Sequence, residues 1–211
     1  MQVWTPVSGF CLTSINTIVQ PTKVSARVIY PRMKLATRVS LFALAVFGIK
    51  ALAFGADEPL ETVSHIDLTH YQGKWFEIAR LPLSWENKCA SDISATYTHR
   101  PDGKIDVLNS CKKSDGKVTQ SKGTARTASK KDGSNSKLKV TFFRPFSRDY
   151  WILDLDPDYR WALVGNPSRK NLWILSRTPS LDHETVDKLL AKGKGLGFDI
   201  SRIIMTKQSQ P

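Results

Sequence analysis

Gly73-Lys74-Trp75-Phe76-Glu77-Ile78-Ala79-Arg80 is the stretch that decides the fold, and Tyr71 stands just ahead of it. A glycine shortly before a tryptophan lets the backbone turn tightly where an extended segment begins. The indole ring needs a deep site because it carries one of the largest apolar surfaces that a chain can bury. A second apolar segment far downstream, Leu172-Trp173-Ile174-Leu175-Ser176-Arg177, ends in an arginine. Together the two segments predict a barrel that begins at Trp75 and closes on itself near Arg177.

The chain between these segments is a succession of short, alternating strands. Turn signals such as Pro101-Asp102-Gly103 and Asp115-Gly116 separate the strands at intervals of roughly ten residues, which is typical of an antiparallel barrel or sandwich. After Arg177 the apolar period becomes helical, with Ser180 or Asp182 as the N-cap. The strand that starts at Trp75 is followed by predicted strands over Cys89–Arg100, Ile105–Cys111, Val118–Thr127, Leu138–Phe142, Tyr150–Leu155, Trp161–Val164 and Leu172–Ser176.

We therefore predict an all-β fold. It is an eight-stranded antiparallel up-and-down barrel with one C-terminal α-helix packed outside it. A last short strand follows the helix over Ile200–Met205.

The first 56 residues have the composition of a leader. They contain no Asp or Glu, and the basic stretch from Met33 to Arg38 precedes an apolar run from Val39 to Ile49. A basic start, a short apolar run and small residues up to Ala56 are typical of a secretory signal peptide. We predict a leader over residues 1–56 with the signal peptide from Met33, a linker over 57–69, and a barrel domain over 64–207. An acid-poor organellar transit peptide is the alternative interpretation of the leader.

The formal net charge of +12 is partly a property of this leader. Removing its six Lys and Arg residues leaves 25 basic and 19 acidic residues, so the remainder has a net charge of +6. No stacking-aromatic motif accompanies that charge, so we expect no nucleic-acid partner.

Two cysteines, Cys89 and Cys111, lie outside the leader. Export places such a pair in an oxidising compartment where the two thiols can bond. The two cysteines lie at different distances in sequence from the Pro101-Asp102-Gly103 turn, so they would not stand opposite each other in a regular hairpin. We therefore predict a disulfide between a loop before the first hairpin strand and the end of the second.

Motifs of catalysis and metal binding are missing from the sequence. The histidines are scattered, and there is no His-Glu-x-x-His, no Gly-x-Ser-x-Gly and no P-loop. Asp154, Asp156 and Asp158 surround a proline and lack the glycine and the terminal Glu of an EF-hand. We expect no catalytic residues, no metal site and no cofactor.

Three blocks of the sequence resemble the signature blocks of the lipocalin family in their proper order. They are Tyr71-x-Gly73-x-Trp75-Phe76-Glu77-Ile78-Ala79-Arg80, Asp158-Tyr159-Arg160-Trp161-Ala162-Leu163-Val164 and Trp173-Ile174-Leu175-Ser176-Arg177-Thr178-Pro179. The version is closest to the bacterial outer-membrane lipocalins of the Blc type and to apolipoprotein D. The resemblance covers the chain from about Ser64 to Ile204.

The resemblance implies a cup-shaped barrel that binds fatty acids, lysophospholipids or other small hydrophobic molecules. Such a protein carries or stores its ligand and could serve membrane maintenance. The apolipoprotein D branch implies that Trp151 and Trp173 line the cup. Strand parity adds Tyr97 and Phe142 as ligand contacts.

Alternation along the last barrel strand places Trp173, Leu175 and Arg177 on one face. Gly73, Trp75 and Arg177 are therefore predicted to form the base of the barrel. A guanidinium stacked over the indole there would add about 0.5–2 kcal/mol.

One feature departs from the bacterial members, which often carry a lipidated cysteine directly after the signal peptide. No cysteine lies near Ala53 to Ala56. We expect an exported, periplasmic protein that associates with the outer membrane, if at all, without that anchor. Two other functions stay open, namely a lipid- or isoprenoid-modifying enzyme on the same barrel and a basic module that binds membrane surfaces. The interior aromatics could also simply fill a packed core.

Overall fold

The computed structural model describes residues 58–129, 131 and 133–209. The predicted leader over residues 1–56, with its signal peptide, lies outside the described residues. No helix in the described part of the chain is long and apolar enough to cross a membrane.

In the described part of the chain, nine strands form one antiparallel sheet in the order β2-β3-β4-β5-β6-β7-β8-β1-β9. Strand β1 also pairs with β2, which closes the first eight strands into a barrel. The prediction of an eight-stranded antiparallel barrel is confirmed, and β9 is the additional strand. The bounds are β1 Gly73–Arg80, β2 Ser91–His99, β3 Ile105–Lys112, β4 Val118–Thr127, β5 Lys137–Phe143, β6 Phe146–Leu155, β7 Trp161–Gly165, β8 Leu172–Ser176 and β9 Ile204–Met205.

The tight turns follow from the residues that the sequence places in them. In the β2–β3 turn, the Asp102 carboxylate accepts a hydrogen bond from the Lys104 backbone N–H, and Gly103 takes a φ of +76°. Asp115 and Gly116 repeat this arrangement between β3 and β4. Aspartate caps its own turn and glycine tolerates the positive φ, so consecutive strands pair as hairpins.

The C-terminal helix α2 spans His183–Gly195 and packs outside the barrel, as predicted. Asp182 is its N-cap, because the carboxylate accepts a 2.7 Å hydrogen bond from the Thr185 N–H. Val186 and Leu189 are buried against an apolar cluster on the outer face of the sheet. The barrel thus packs on two sides, with one cluster inside it and another beneath the helix.

The segment predicted as a linker, residues 57–69, is part of the fold from its first described residues. Ile66 is fully buried in the inner cluster, and its N–H donates to the Ser134 carbonyl at 2.8 Å. A one-turn helix α1, Leu68–Tyr71, leads from there into β1. The predicted barrel domain, residues 64–207, already included Ile66 and α1, and a few apolar residues in this mostly polar stretch are enough to cover the end of the barrel.

The C-terminal segment fills a gap in the barrel wall. β1 and β2 pair only between Gly73 and Phe76, and beyond that point β1 pairs with β9. The Gln208 side-chain amide then donates to Glu77 O on β1 and to Ile93 O on β2, both at 2.8 Å. One side chain therefore joins two strands whose direct pairing has ended.

The disulfide prediction is confirmed. Cys89, just before β2, is bonded to Cys111 near the end of β3, with Cα atoms 5.6 Å apart. The bond fixes the loop between β1 and β2 beside the cavity, which both cysteines line.

Candidate functional site

The closed end of the barrel is built around Trp75. This side chain is fully buried, and its indole N–H donates to the Tyr71 carbonyl at 2.8 Å. The Arg177 guanidinium carbon lies 3.9 Å from the centre of the indole ring. The predicted cation–π contact between the first and last barrel strands is present in the structure.

Arg177 also ties three segments together at this end. Its N–H groups donate to the carbonyls of Lys74, His70 and Tyr159. Gly73 has a φ of +95°, and a Cβ atom there would lie 3.2 Å from Arg177 Nη1. A side chain at this position would meet both backbone strain and the guanidinium, so the sequence needs a glycine here.

A cavity of about 420 Å³ occupies the barrel above this base. Its walls are mainly aromatic and aliphatic, and they are formed by the barrel strands together with the loop between β1 and β2. The main apolar contributors are Tyr97 from β2, Val140 and Phe142 from β5, Tyr150 from β6, and Trp173 and Leu175 from β8.

Three phenols meet between the base and the cavity. The hydroxyls of Tyr71 and Tyr150 lie 2.8 Å apart, and the Tyr97 hydroxyl donates to Tyr150 at 3.0 Å. Burial raises the pKa of Tyr97 to about 12 and holds the pKa values of Tyr71 and Tyr150 well above the ordinary tyrosine value. All three phenols therefore keep their protons at neutral pH.

An ionisable cluster stands in the upper wall. Arg80 Nε lies 3.2 Å from a Glu77 carboxyl oxygen and 2.7 Å from one of Glu86, and all three side chains are buried. Burial, together with the charge of Glu86, raises the pKa of Glu77 to about 8. Burial also raises the pKa of Glu86, against the opposing effect of Arg80. Both carboxyl groups line the cavity, and Thr206 donates a hydrogen bond to Glu77.

The rim of the open end is apolar and basic. Phe143 and Phe146, the last residue of β5 and the first of β6, are 76% and 71% exposed. Trp85, on the loop between β1 and β2, is also exposed and stacks with Arg148, whose guanidinium carbon is 4.3 Å from the ring centre. All four side chains border the cavity.

The barrel and its cavity agree with the protein family that the sequence matches. The sequence fits the lipocalin-like domain family over residues 66–208, which is more than half of the chain. The chain belongs to the lipocalin family.

Its relatives include plant, bacterial and animal lipocalins. Temperature-induced lipocalin-1 of Arabidopsis thaliana is 43% identical over 71% of this chain and 83% of its own length. The outer membrane lipoprotein Blc of Escherichia coli K12 is 37% identical over 80% and 96%. Bovine apolipoprotein D is 30% identical over 68% and 78%, so the resemblance to Blc and apolipoprotein D is confirmed.

A solved lipocalin structure supports the same architecture. Insecticyanin from the tobacco hornworm Manduca sexta superposes with a TM-score of 0.60 at 27% identity. The alignment covers 72% of this chain and 86% of insecticyanin.

Three of the four predicted ligand contacts lie in the lipocalin cup. Trp173, Tyr97 and Phe142 all line the cavity, on β8, β2 and β5 respectively. Trp173 also stacks with Tyr150, with ring centres 6.4 Å apart. Strand alternation thus placed Tyr97 and Phe142 on the inner face, and the resemblance placed Trp173 there.

Trp151 is the exception, and its predicted place in the cup is corrected by the structure. It packs against the outer apolar cluster, and Lys137 Nζ lies 4.7 Å from the centre of its ring. The neighbouring Tyr150 faces the cavity instead. Successive side chains of a strand point to opposite faces, so only one of two adjacent aromatic residues can face inward.

Sequence reasoning missed Tyr150 and the two cavity carboxyls. Glu77 stands two positions after Trp75, so alternation already indicated an inward side chain. Glu86 gave no such signal, because it lies in the 3-10 turn Ser84–Glu86 and not on a strand.

Proposed function

We propose that this lipocalin binds small hydrophobic molecules, such as fatty acids or lysophospholipids, and carries or stores them in its barrel. The observation that carries this proposal is the cavity of about 420 Å³ with an aromatic and aliphatic wall above a sealed base. Cavities of this size with a few polar groups are typical of small-molecule sites. Burial of apolar ligand surface yields about 25 cal/mol per Å², which is sufficient for micromolar binding.

The ligand contacts in this proposal are Trp173, Tyr97 and Phe142, while Gly73, Trp75 and Arg177 maintain the base. In this proposal the protein binds its ligand without catalysing a reaction, and the polar groups of the cup orient the ligand. The described residues hold no group of three or more metal-ligating side chains.

A ligand search on protein purified from its native cell tests the proposal. Mass spectrometry of the organic extract should find a lipid or other apolar molecule, and a fluorescence titration with laurate should give a dissociation constant in the micromolar range or below. Trp75→Phe, which changes the base and not the cup, serves as the control that keeps laurate binding. A parent protein that yields no extractable ligand and binds no laurate would contradict the function.

We further propose that the protein is exported to the periplasm and associates there with the outer membrane. The basic, acid-free leader supports export, and the Blc relatives are named outer membrane lipoproteins. N-terminal sequencing of protein from its native cell should find a start between Phe54 and Asp57. A start at Met1, or a diacyl group on the mature N-terminus, would contradict this assignment.

The apolar and basic rim supports the membrane association. Phe143 and Phe146 could enter the interface of a bilayer while Arg148 meets anionic headgroups. The double variant Phe143→Ser/Phe146→Ser should lose co-sedimentation with vesicles of phosphatidylethanolamine and phosphatidylglycerol. The matched control Ile204→Ser/Met205→Ser removes two exposed apolar side chains from β9 and should keep it. Equal sedimentation of both double variants would rule out docking through the rim.

A further inference from the structure

The three phenols below the cavity form an incomplete hydrogen-bond network. Tyr71 and Tyr97 are almost fully buried, whereas Tyr150 keeps accessible surface and lines the cavity. Tyr150 is the centre of the network, because its oxygen lies within hydrogen-bond distance of the other two hydroxyls. Among the described residues, none of the three hydroxyls has another hydrogen-bond partner.

One of the three hydroxyl protons has no acceptor within the network. Three phenols carry three O–H donors, yet the network contains only two hydrogen bonds, so one donor is unused. Tyr97 donates to Tyr150, which leaves the direction of the bond between Tyr71 and Tyr150 to be assigned.

The surroundings of Tyr71 decide that direction. If Tyr150 donated to Tyr71, the unused proton would belong to Tyr71, which is sealed among Trp75, Tyr97 and other buried side chains. A buried donor without a partner is costly, while a donor facing a cavity can bind a ligand or water. Tyr71 therefore donates to Tyr150, and the Tyr150 proton is the one that faces the cavity.

We propose that Tyr150 is a donor-only contact at the inner end of the cup, where it recognises an apolar molecule whose leading end carries a carbonyl oxygen. The Tyr150 oxygen already accepts two hydrogen bonds, so it has no capacity left for a ligand donor. A ketone, aldehyde or ester oxygen satisfies the free O–H. This contact rests on the proposed binding function and adds the chemical class of the ligand's inner end.

A ketone with a ¹³C-labelled carbonyl tests the contact directly. 2-Undecanone labelled at C2 should bind to the parent protein with its carbonyl infrared band at lower wavenumber than in alkane solvent. Tyr150→Phe should return the band to the alkane position and weaken ketone binding by about tenfold, the effect of one hydrogen bond. Laurate, whose carboxylate is expected to stay at the open end near Arg148, should bind the parent and Tyr150→Phe within about twofold of each other.

The matched control is Tyr71→Phe, which removes a phenol of the same network but leaves the Tyr150 proton facing the cavity. It should lower stability and keep both the shifted band and the ketone affinity. A band at the alkane position in the parent, or loss of the shift in Tyr71→Phe as well as in Tyr150→Phe, would overturn the Tyr150 contact while laurate binding still supports the cup. If neither ketone nor laurate binds, the binding function itself fails and the contact fails with it.

Discussion

At the scale of single residues, two tryptophans on the inner face of the barrel occupy sites of different kinds. Trp75 is fully buried at the closed end, where every side of the ring is packed. Trp173 is only partly buried and borders the cavity. Removing the first ring should create a void in a packed base, whereas removing the second enlarges a space that already exists.

We therefore expect the two alanine variants to separate stability from binding. Trp75→Ala should lower the free energy of unfolding by about 3–5 kcal/mol. Trp173→Ala should cost much less stability and weaken laurate binding by about tenfold through lost apolar contact. Urea unfolding followed by circular dichroism, with a laurate titration of each variant, measures both quantities. If Trp173→Ala is as unstable as Trp75→Ala and the parent binds no lipid, the interior is a packed core.

We expect Glu77 to make the free energy of unfolding depend on pH. Its pKa is raised from an unfolded value of 4.5 to about 8 in the folded barrel, chiefly by burial. The folded state therefore binds a proton more tightly than the unfolded state, and the free energy of unfolding should fall as pH rises from 4.5 to about 8. One such group contributes a slope of at most about 1.4 kcal/mol per pH unit.

Glu77→Gln should flatten this slope, because the neutral amide has the size of the protonated acid and can still accept the hydrogen bond from Thr206. Urea unfolding at several pH values between 4.5 and 8 measures the slope. Glu61→Gln, at an exposed position, is the control that should keep the slope of the parent. Identical pH dependence in the parent and in Glu77→Gln would mean that Glu77 is not the group responsible.

The sequence pattern placed some of the cavity residues and could not place others. Alternation placed Tyr97, which stands between Thr96 and Thr98, and Phe142 in the cup, and for Trp173 it agreed with the resemblance because Trp173 shares a face with Arg177. At Tyr150 and Trp151 two aromatic side chains are adjacent, and both faces of β6 are apolar. The apolar pattern therefore could not choose between them, and the choice depends on the register with β5 and β7.

At the scale of elements, the strands and the outer helix could be predicted, while the long-range partners of the two terminal segments could not. Strand alternation and turn residues are local signals, and the residues that carry them lie within a few positions of one another. The contacts of the residue 58–71 segment and of residues 204–209 are formed with strands far away in sequence. Ile66 contacts Ser134, and Gln208 contacts Ile93, at separations that no local pattern reports.

Gln208 should be a structural bridge of the barrel wall. Gln208→Ala leaves the carbonyls of Glu77 and Ile93 without their donor, and we expect a loss of about 1–3 kcal/mol in the free energy of unfolding. Hydrogen exchange should accelerate at the amides of Asp92 and Thr206, which bond across the same gap. Gln120→Ala, on the exposed side of β4, is the matched control and should change stability by less than about 0.5 kcal/mol. Unchanged exchange in Gln208→Ala would show that β9 alone holds the wall closed.

At the scale of the whole molecule, the barrel can keep an open cavity because its packing lies elsewhere. The inner cluster fills the closed half, and the outer cluster packs one side of the sheet under α2. The disulfide and the C-terminal segment brace the loop and the wall beside the opening. A fold supported in this way loses only the ligand contacts when the cup is empty. A bound ligand should therefore raise the free energy of unfolding, and folding should not require it.

Because the packed clusters and the cavity are separate, laurate binding should add to the free energy of unfolding by an amount that its Kd determines. A ligand that binds only the folded state adds RT ln(1 + [L]/Kd), so free laurate at 100 times its Kd should raise the free energy of unfolding by about 2.7 kcal/mol. For a domain of this size the gain corresponds to an increase in Tm of about 5–11 °C. At the same free laurate concentration, Trp173→Ala, with its tenfold weaker binding, should gain only about 1.4 kcal/mol. Ile204→Ser, which lies on β9 outside the cup, should show the full increase. Thermal unfolding with and without laurate measures all three proteins, and a Tm of the parent that does not change with saturating laurate would show that laurate does not bind the folded barrel.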